Sequence, residues 1–249
     1  MNRHRFQCAV LLLGIVGLLL MGVCELWLWS YRRQEALNRQ LIAALVNGHR
    51  GQQETPDDYK EALSLVNAGA DPNTPWKLLP APSLRQLWNS LVHHSPLPIN
   101  DSPTAFLIAC GVYWTDNDGY IYGGSLLDRA PLVADMLQHG ANVEVKYKDG
   151  WTPLTFVAFQ RDRETLDVLL AHGVNVNAKG YSDCSPLYWA MHSAMDELPS
   201  EDKETANIVL ALLAHGADPN LPDGGGTLLQ QAVTRPDLVA LLKRAGAKK

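Results

Sequence analysis

The chain has 249 residues, 47% of them hydrophobic, and a formal charge of −5 at pH 7. That length and apolar content suffice for one substantial folded unit. Residues 1–33 hold Arg3, Arg5, Arg32 and Arg33 against Glu25, which makes that segment +3 and leaves −8 on the rest; so acidic a body excludes a nucleic-acid phosphate backbone as partner.

The chain begins with a basic tail, residues 1–7, followed by "CAVLLLGIVGLLLMGVC" from Cys8 to Cys24, without a charge. Glu25 interrupts the run and "LWLW" continues it. At about 1.5 Å per residue the stretch spans a hydrocarbon core of about 30 Å. Trp27, Trp29 and Tyr31 followed by Arg32 and Arg33 form the pattern of an interfacial aromatic belt with snorkelling cations. Residues 8–31 are therefore expected to be a transmembrane anchor. A cleaved signal peptide would need an A-x-A-like site after the apolar core, and a lipoprotein signal would need a small residue where Val23 stands. Glu25 is read as a headgroup-level residue. The short basic tail favours the amino terminus inside and the body outside, on the periplasmic side in a bacterium.

Beyond the anchor, glycines mark a repeat: "NAGADPN" at Gly69, "QHGANVE" at Gly140, "AHGVNVN" at Gly173, "AHGADPN" at Gly216 and "RAGAK" at Gly246. Seven, four and three residues before each stand Ala62, Leu65 and Val66; Val133, Met136 and Leu137; Leu166, Leu169 and Leu170; Val209, Leu212 and Leu213. This is one apolar helix face, repeated. The last set, Val239, Leu242 and Lys243, has the polar substitution that a terminal repeat needs. Gly in a left-handed conformation ends each helix. A second helix is then started by Thr104, Thr152, Ser185 or Thr227, with Pro153 and Pro186 at its first turn.

The motifs "TPLTFVA" and "SPLYWA" resemble the T-P-L-H-x-A signature of the ankyrin repeat, and Gly140 to Gly173 is its period of 33 residues. The resemblance covers about residues 36–249. It implies an all-α ankyrin-repeat solenoid of about five helix pairs that binds a protein partner. The family's histidine is replaced by Leu107, Thr155, Tyr188 and Gln230, which weakens the hydrogen bonding expected between repeats.

Departures from the period imply insertions at about 74–101, 112–130 and 192–203. The first leaves from the turn side, the other two from between paired helices. Within the second, "VYWTDNDGYIY" predicts a β-hairpin finger around Asp118-Gly119, whose Tyr113, Trp114, Tyr120 and Tyr122 alternate between its faces. Within the first, five prolines flank a helical stretch from Ser83 to His93, read as a docked extra helix.

Of four cysteines, Cys8 and Cys24 lie in the anchor, and Cys110 and Cys184 are expected to be unpaired, two repeats apart against a limit of about 7 Å between Cα atoms for a bridge. His139, His172 and His215 precede the glycines and are read as helix-end residues facing carbonyls, too far apart at the roughly 8–10 Å of packed helices to share a metal. His93-His94 is read as a surface pair. "DNDGY" lacks calcium-loop residues at Trp114 and Ser125, and no catalytic set or cofactor site is implied. The expected partner-binding residues are Trp151, placed at a turn tip, and Tyr113, Trp114, Tyr120 and Tyr122. The function so implied is that of a non-enzymatic, membrane-anchored adaptor or scaffold. An immunity or inhibitor protein acting on a toxin or enzyme at the membrane is the alternative. A membrane-bound enzyme with its site between the insertions, using His93, His94, Asp116 and Asp118, is the third reading.

Overall fold

A computed structural model describes residues 3–47, 56–76, 102–111, 113–114, 120–121, 129–147, 150–192, 203–223 and 226–248. The helices come in pairs. An N-terminal helix α1 (Arg3–Asn47) is followed by α2 (Pro56–Asn67), and then by α3 (Ala105–Ala109) with α4 (Ala130–Gln138). The pairs α5 (Pro153–Gln160) with α6 (Arg163–Ala171), α7 (Pro186–Met191) with α8 (Lys203–Ala214), and α9 (Leu228–Gln231) with α10 (Pro236–Arg244) complete the stack.

The second helix of each pair ends where the glycines require. Gly69, Gly140, Gly173, Gly216 and Gly246 have φ between 75° and 100°. After α4, Gly140 N–H donates to Leu137 O at 3.1 Å and Ala141 N–H to Met136 O at 2.9 Å, which closes the helix end on itself. The apolar face read from the sequence is the buried face: Ala62, Val66, Val133, Met136, Leu166, Leu169, Val209, Leu212 and Leu242 are each fully enclosed, and Lys243 is exposed. The first helices start from the expected caps. Thr104 and Ser185 accept one backbone N–H each, and Thr152 with Thr155 and Thr227 with Gln230 form reciprocal capping boxes. Two residues standing in for the family's histidine thus secure helix starts instead.

Asparagines tie one repeat to the next. Asn73 donates to Gly140 O at 2.9 Å and accepts from Asn142 N–H at 2.8 Å. Asn177 does the same with Gly216 and Asp218, and Asn220 with Gly246 and Lys248. Glu144 holds the corresponding place before the third glycine and accepts from Asn175 N–H at 2.7 Å. A carboxylate has no N–H to offer Gly173 O, so this rung is half made.

The first rung comes from α1 itself. Gln34 donates to Gly69 O at 2.7 Å, and Asn38 accepts from Asp71 N–H at 2.9 Å. Leu41, Ile42, Ala44 and Leu45 are buried in the common core, so the end of α1 is the first helix of the first repeat. The boundary expected between an anchor at 8–31 and repeats from 36 is not a break in secondary structure, because one helix runs through it. Met21, Val23, Leu26, Trp27, Leu28, Trp29 and Tyr31 lie outside the core, 45–70% exposed. Among the described residues no helix is long and apolar enough to cross a membrane. The side chains of α1 are described from Met21 on, and those of the apolar run before it are not.

Most of each expected insertion lies outside the described residues, including the Ser83–His93 stretch and Asp116, Asp118 and Tyr122. Their roots are closed. Pro75 pairs with Thr104 in an isolated antiparallel bridge, with Trp76 N–H on Pro103 O at 2.8 Å and Ala105 N–H on Thr74 O at 2.8 Å. The turn therefore continues across the gap in sequence. The finger is present as a two-rung antiparallel ladder between β1 (Tyr113–Trp114) and β2 (Tyr120–Ile121), pairing Tyr113 with Ile121 and Trp114 with Tyr120.

Candidate protein-binding face

The first helices α5 and α7, with the turns before them, carry a cluster of rings. Two glycines let these turns meet. Gly150 has φ 92°, and a Cβ there would lie 3.1 Å from Gly180 O; a Cβ on Gly180 would lie 2.7 Å from Thr155 Cγ2. With the turns this close, Trp151 stacks on Tyr181 with centroids 5.2 Å apart and planes 4° from parallel. Trp151 also meets Trp189 at 4.8 Å, Phe156 at 5.5 Å and Phe159 at 5.6 Å. Such offset and edge-on pairs contribute about 0.5–1.5 kcal/mol each beyond the area they bury.

Trp151 is consequently 2% exposed. Its expected place as an exposed anchor on a turn tip is corrected: the neighbouring turn covers it, and it supports the rings that do reach the surface. Those rings are Tyr181, Tyr188, Trp189 and His192, all half-buried. Trp189 packs perpendicular to Phe159 at 5.5 Å, Tyr188 sets its edge on Trp189 at 5.2 Å, and His192 stacks on Tyr188 at 4.1 Å. Burial raises the Tyr188 hydroxyl pKa, and Cys184 and Asp223 push it further up, so Tyr188 offers an uncharged hydroxyl at neutral pH. Among the described residues the buried Trp189 indole N–H has no hydrogen-bond partner. None of these residues was given a binding role from the sequence, although the signal was there: "LYW" and "FVAF" set aromatics on the first helices, and Tyr188 replaces the family's histidine.

Both flanks of the face are fixed. On one side, buried Asp223 accepts Ser185 N–H at 3.0 Å and the Ser185 hydroxyl on its other oxygen, locking the turn at 216–223 onto the α7 cap. On the other, Gln160 accepts from buried Arg129 at 3.3 Å and donates to Gly111 O at 3.1 Å. Gly111 and Arg129 bracket the finger, so Gln160 of α5 holds its root beside the aromatic face. Tyr113, Trp114 and Tyr120 lie on the ladder, but their side chains are outside the described residues.

Cys110 and Cys184 are buried. Burial pushes the Cys110 thiol well above its ordinary value against the opposing pull of Arg129, so it is inert as a nucleophile. The Nδ1 atoms of His139, His172 and His215 each lie 2.8–2.9 Å from the carbonyl four residues back, where only a donor fits, in keeping with helix-end residues. Among the described residues no group of three or more His, Cys, Asp or Glu is placed to hold a metal ion.

Comparison with known proteins agrees with this architecture. Residues 128–223 match the model of the ankyrin repeats family in three copies. The chain is similar to the mitochondrial disaggregase of Bos taurus, 27% identical over 136 residues, which are 54% of this chain and 19% of the relative. It spans about a fifth of the length of that protein. Among solved structures it is similar to the crystal structure of an ankyrin repeat domain from Acinetobacter baumannii AYE, with a TM-score of 0.54 and 26% identity over 77% of this chain and 78% of that one. The chain therefore has the all-α ankyrin-repeat fold, with three ankyrin repeats over residues 128–223.

Proposed function

We propose that this protein is a membrane-anchored, non-enzymatic adaptor that holds a protein partner on the aromatic face of its ankyrin repeats. The observation that carries the reading is the set of half-buried rings Tyr181, Tyr188, Trp189 and His192, seated on a rigid buried layer of Trp151, Phe156 and Phe159. Repeat stacks present extended surfaces of this kind to protein partners, and Tyr and Trp on a rigid base are the residue types that dominate such binding. The finger, whose root Gln160 holds, supplies Tyr113, Trp114, Tyr120 and Tyr122 as further contacts to the partner. The ankyrin-repeat fold is typically non-enzymatic, which agrees with the adaptor role.

The anchor is residues 8–31. What supports it is the apolar run to Cys24 together with α1, whose Leu26, Trp27, Leu28 and Trp29 occupy all sides of the helix and touch none of the core. A helix apolar all round is one that lipid buries. Arg33 lies over the Trp29 ring at 5.7 Å, as an interfacial cation does. The short basic tail puts the repeats on the non-cytoplasmic side. Protease added to intact cells should then digest a C-terminal tag, and protection would reverse the orientation.

The binding face is tested by a photo-cross-linker placed at Tyr188, and separately at outer-helix Glu164, in the full chain in membranes. We expect a discrete protein adduct from Tyr188 alone, reduced about tenfold or more by His192→Ala, a change at a residue whose truncation leaves the buried layer intact. Equal adducts from both positions would refute the face.

A further inference from the structure

The way α1 enters the repeats determines which edge of the stack meets the membrane. Gln34 reaches Gly69 O and Asn38 reaches Asp71 N–H, so α1 crosses the edge of the stack that carries the turns. Gln34 is three residues past Tyr31 and five past Trp29, about 4.5 and 7.5 Å along a helix axis. No linker intervenes, since Arg3–Asn47 is one helix. Each later first helix also starts from a turn, at Thr104, Thr152, Ser185 and Thr227, and the side-chain rungs tie those turns to one another in register. Stacking therefore runs sideways from α1, about 8–10 Å per helix layer, across its axis.

We propose that the turn edge of the ankyrin stack lies along a lipid surface, while the opposite edge, where Gly111 and Arg129 root the finger, points away from it. The proposal rests on the anchor reading above and adds an orientation to it. The lipid-facing row consists of the turns at 69–76, 140–147, 173–185, 216–223 and 246–248. The row exposes Lys146 and Lys248 beside Asp71, Glu144, Asp183 and Asp218, so its place at the surface is set by the course of α1 and not by charge. The chain also leaves this edge after Trp76 and returns before Pro103. Of the partner-binding rings, Tyr181 belongs to this row, while Tyr188, Trp189 and His192 on and just after α7 stand beyond it, within reach of a neighbour in the same bilayer.

The test uses the full chain with Cys8→Ser and Cys24→Ser, which leaves the buried Cys110 and Cys184 unlabelled. A single fluorophore is placed on the turn edge by Lys146→Cys or Pro222→Cys, or on the opposite edge by Glu164→Cys or Thr234→Cys. The protein is reconstituted into phosphatidylcholine–phosphatidylglycerol vesicles that contain a headgroup-quencher lipid. Loss of emission at positions 146 and 222, with none at 164 and 234, is the expected result. A flexible Gly-Ser insertion between Arg33 and Gln34 should leave flotation intact and erase the difference. Co-flotation with equal quenching at both edges, or with quenching confined to 164 and 234, overturns the orientation alone. Failure to float with the vesicles overturns the anchor and the orientation with it.

Discussion

The joint between α1–α2 and α3–α4 and the joint between α5–α6 and α7–α8 solve one packing problem with different chemistry. The first is mostly aliphatic: Leu41, Leu45, Ala62 and Val66 share a core with Phe106, Trp76 packs against it, and the neighbouring turn is pinned by Gln34 and Asn38. The other adds a second cluster, in which Trp151, Phe156 and Phe159 lie beneath Tyr181 and Trp189, and two glycines allow the turns to touch. A helix that continues outward, as α1 does, needs only to be held, and aliphatic packing along one stripe suffices. A surface that recognises a partner needs large rings kept in fixed positions, and a buried aromatic layer supplies that base at the same time as it stabilises the stack.

The comparison is most severely tested by Trp151→Ala. Truncating an enclosed tryptophan costs about 3–5 kcal/mol, read by urea denaturation, and cross-linking from Tyr188 should fall with it. Retained stability would mean that the rings decorate the joint without supporting it. Leu41→Ala at the aliphatic joint should cost about 2–4 kcal/mol and leave the Trp189 environment unchanged by fluorescence; a shift there would show the joints to be one unit. Asp223→Ala strands the buried Ser185 N–H and should cost about 1–3 kcal/mol, more than any exposed rung. The smallest effects sharpen the picture of the ladder. Asn177→Ala should cost about 1 kcal/mol, whereas Glu144→Asn completes the half-made rung and should gain about 0.5 kcal/mol, both measured as shifts in denaturation midpoint.

Much of this fold was legible because its signals are local. A glycine that must take positive φ, a threonine that must cap, and apolar residues three and four apart each state their own requirement, so the second helices and the helix starts follow from pattern alone. The aromatic face was less legible, because whether a ring is covered depends on how close the neighbouring turn comes. Trp151 occupies a turn, and turns are usually exposed; Gly150 and Gly180 bring the next turn onto it and leave Tyr188 and Trp189 as the rings at the surface. The place of α1 as the first helix of the first repeat was hidden for a different reason. Leu37, Leu41 and Leu45 repeat at helical spacing without a capping residue or proline to announce a repeat, since a helix already under way needs no start signal.

The claim on which the account turns is that one uninterrupted helix serves both as anchor and as first helix of the repeats. Hydrogen exchange of the full chain in lipid nanodiscs, followed residue by residue from Cys24 to Leu45, tests it directly. The account predicts continuous amide protection through Tyr31, Gln34 and Asn38. A gap of fast exchange between Tyr31 and Leu37 would reveal a hinge and contradict it.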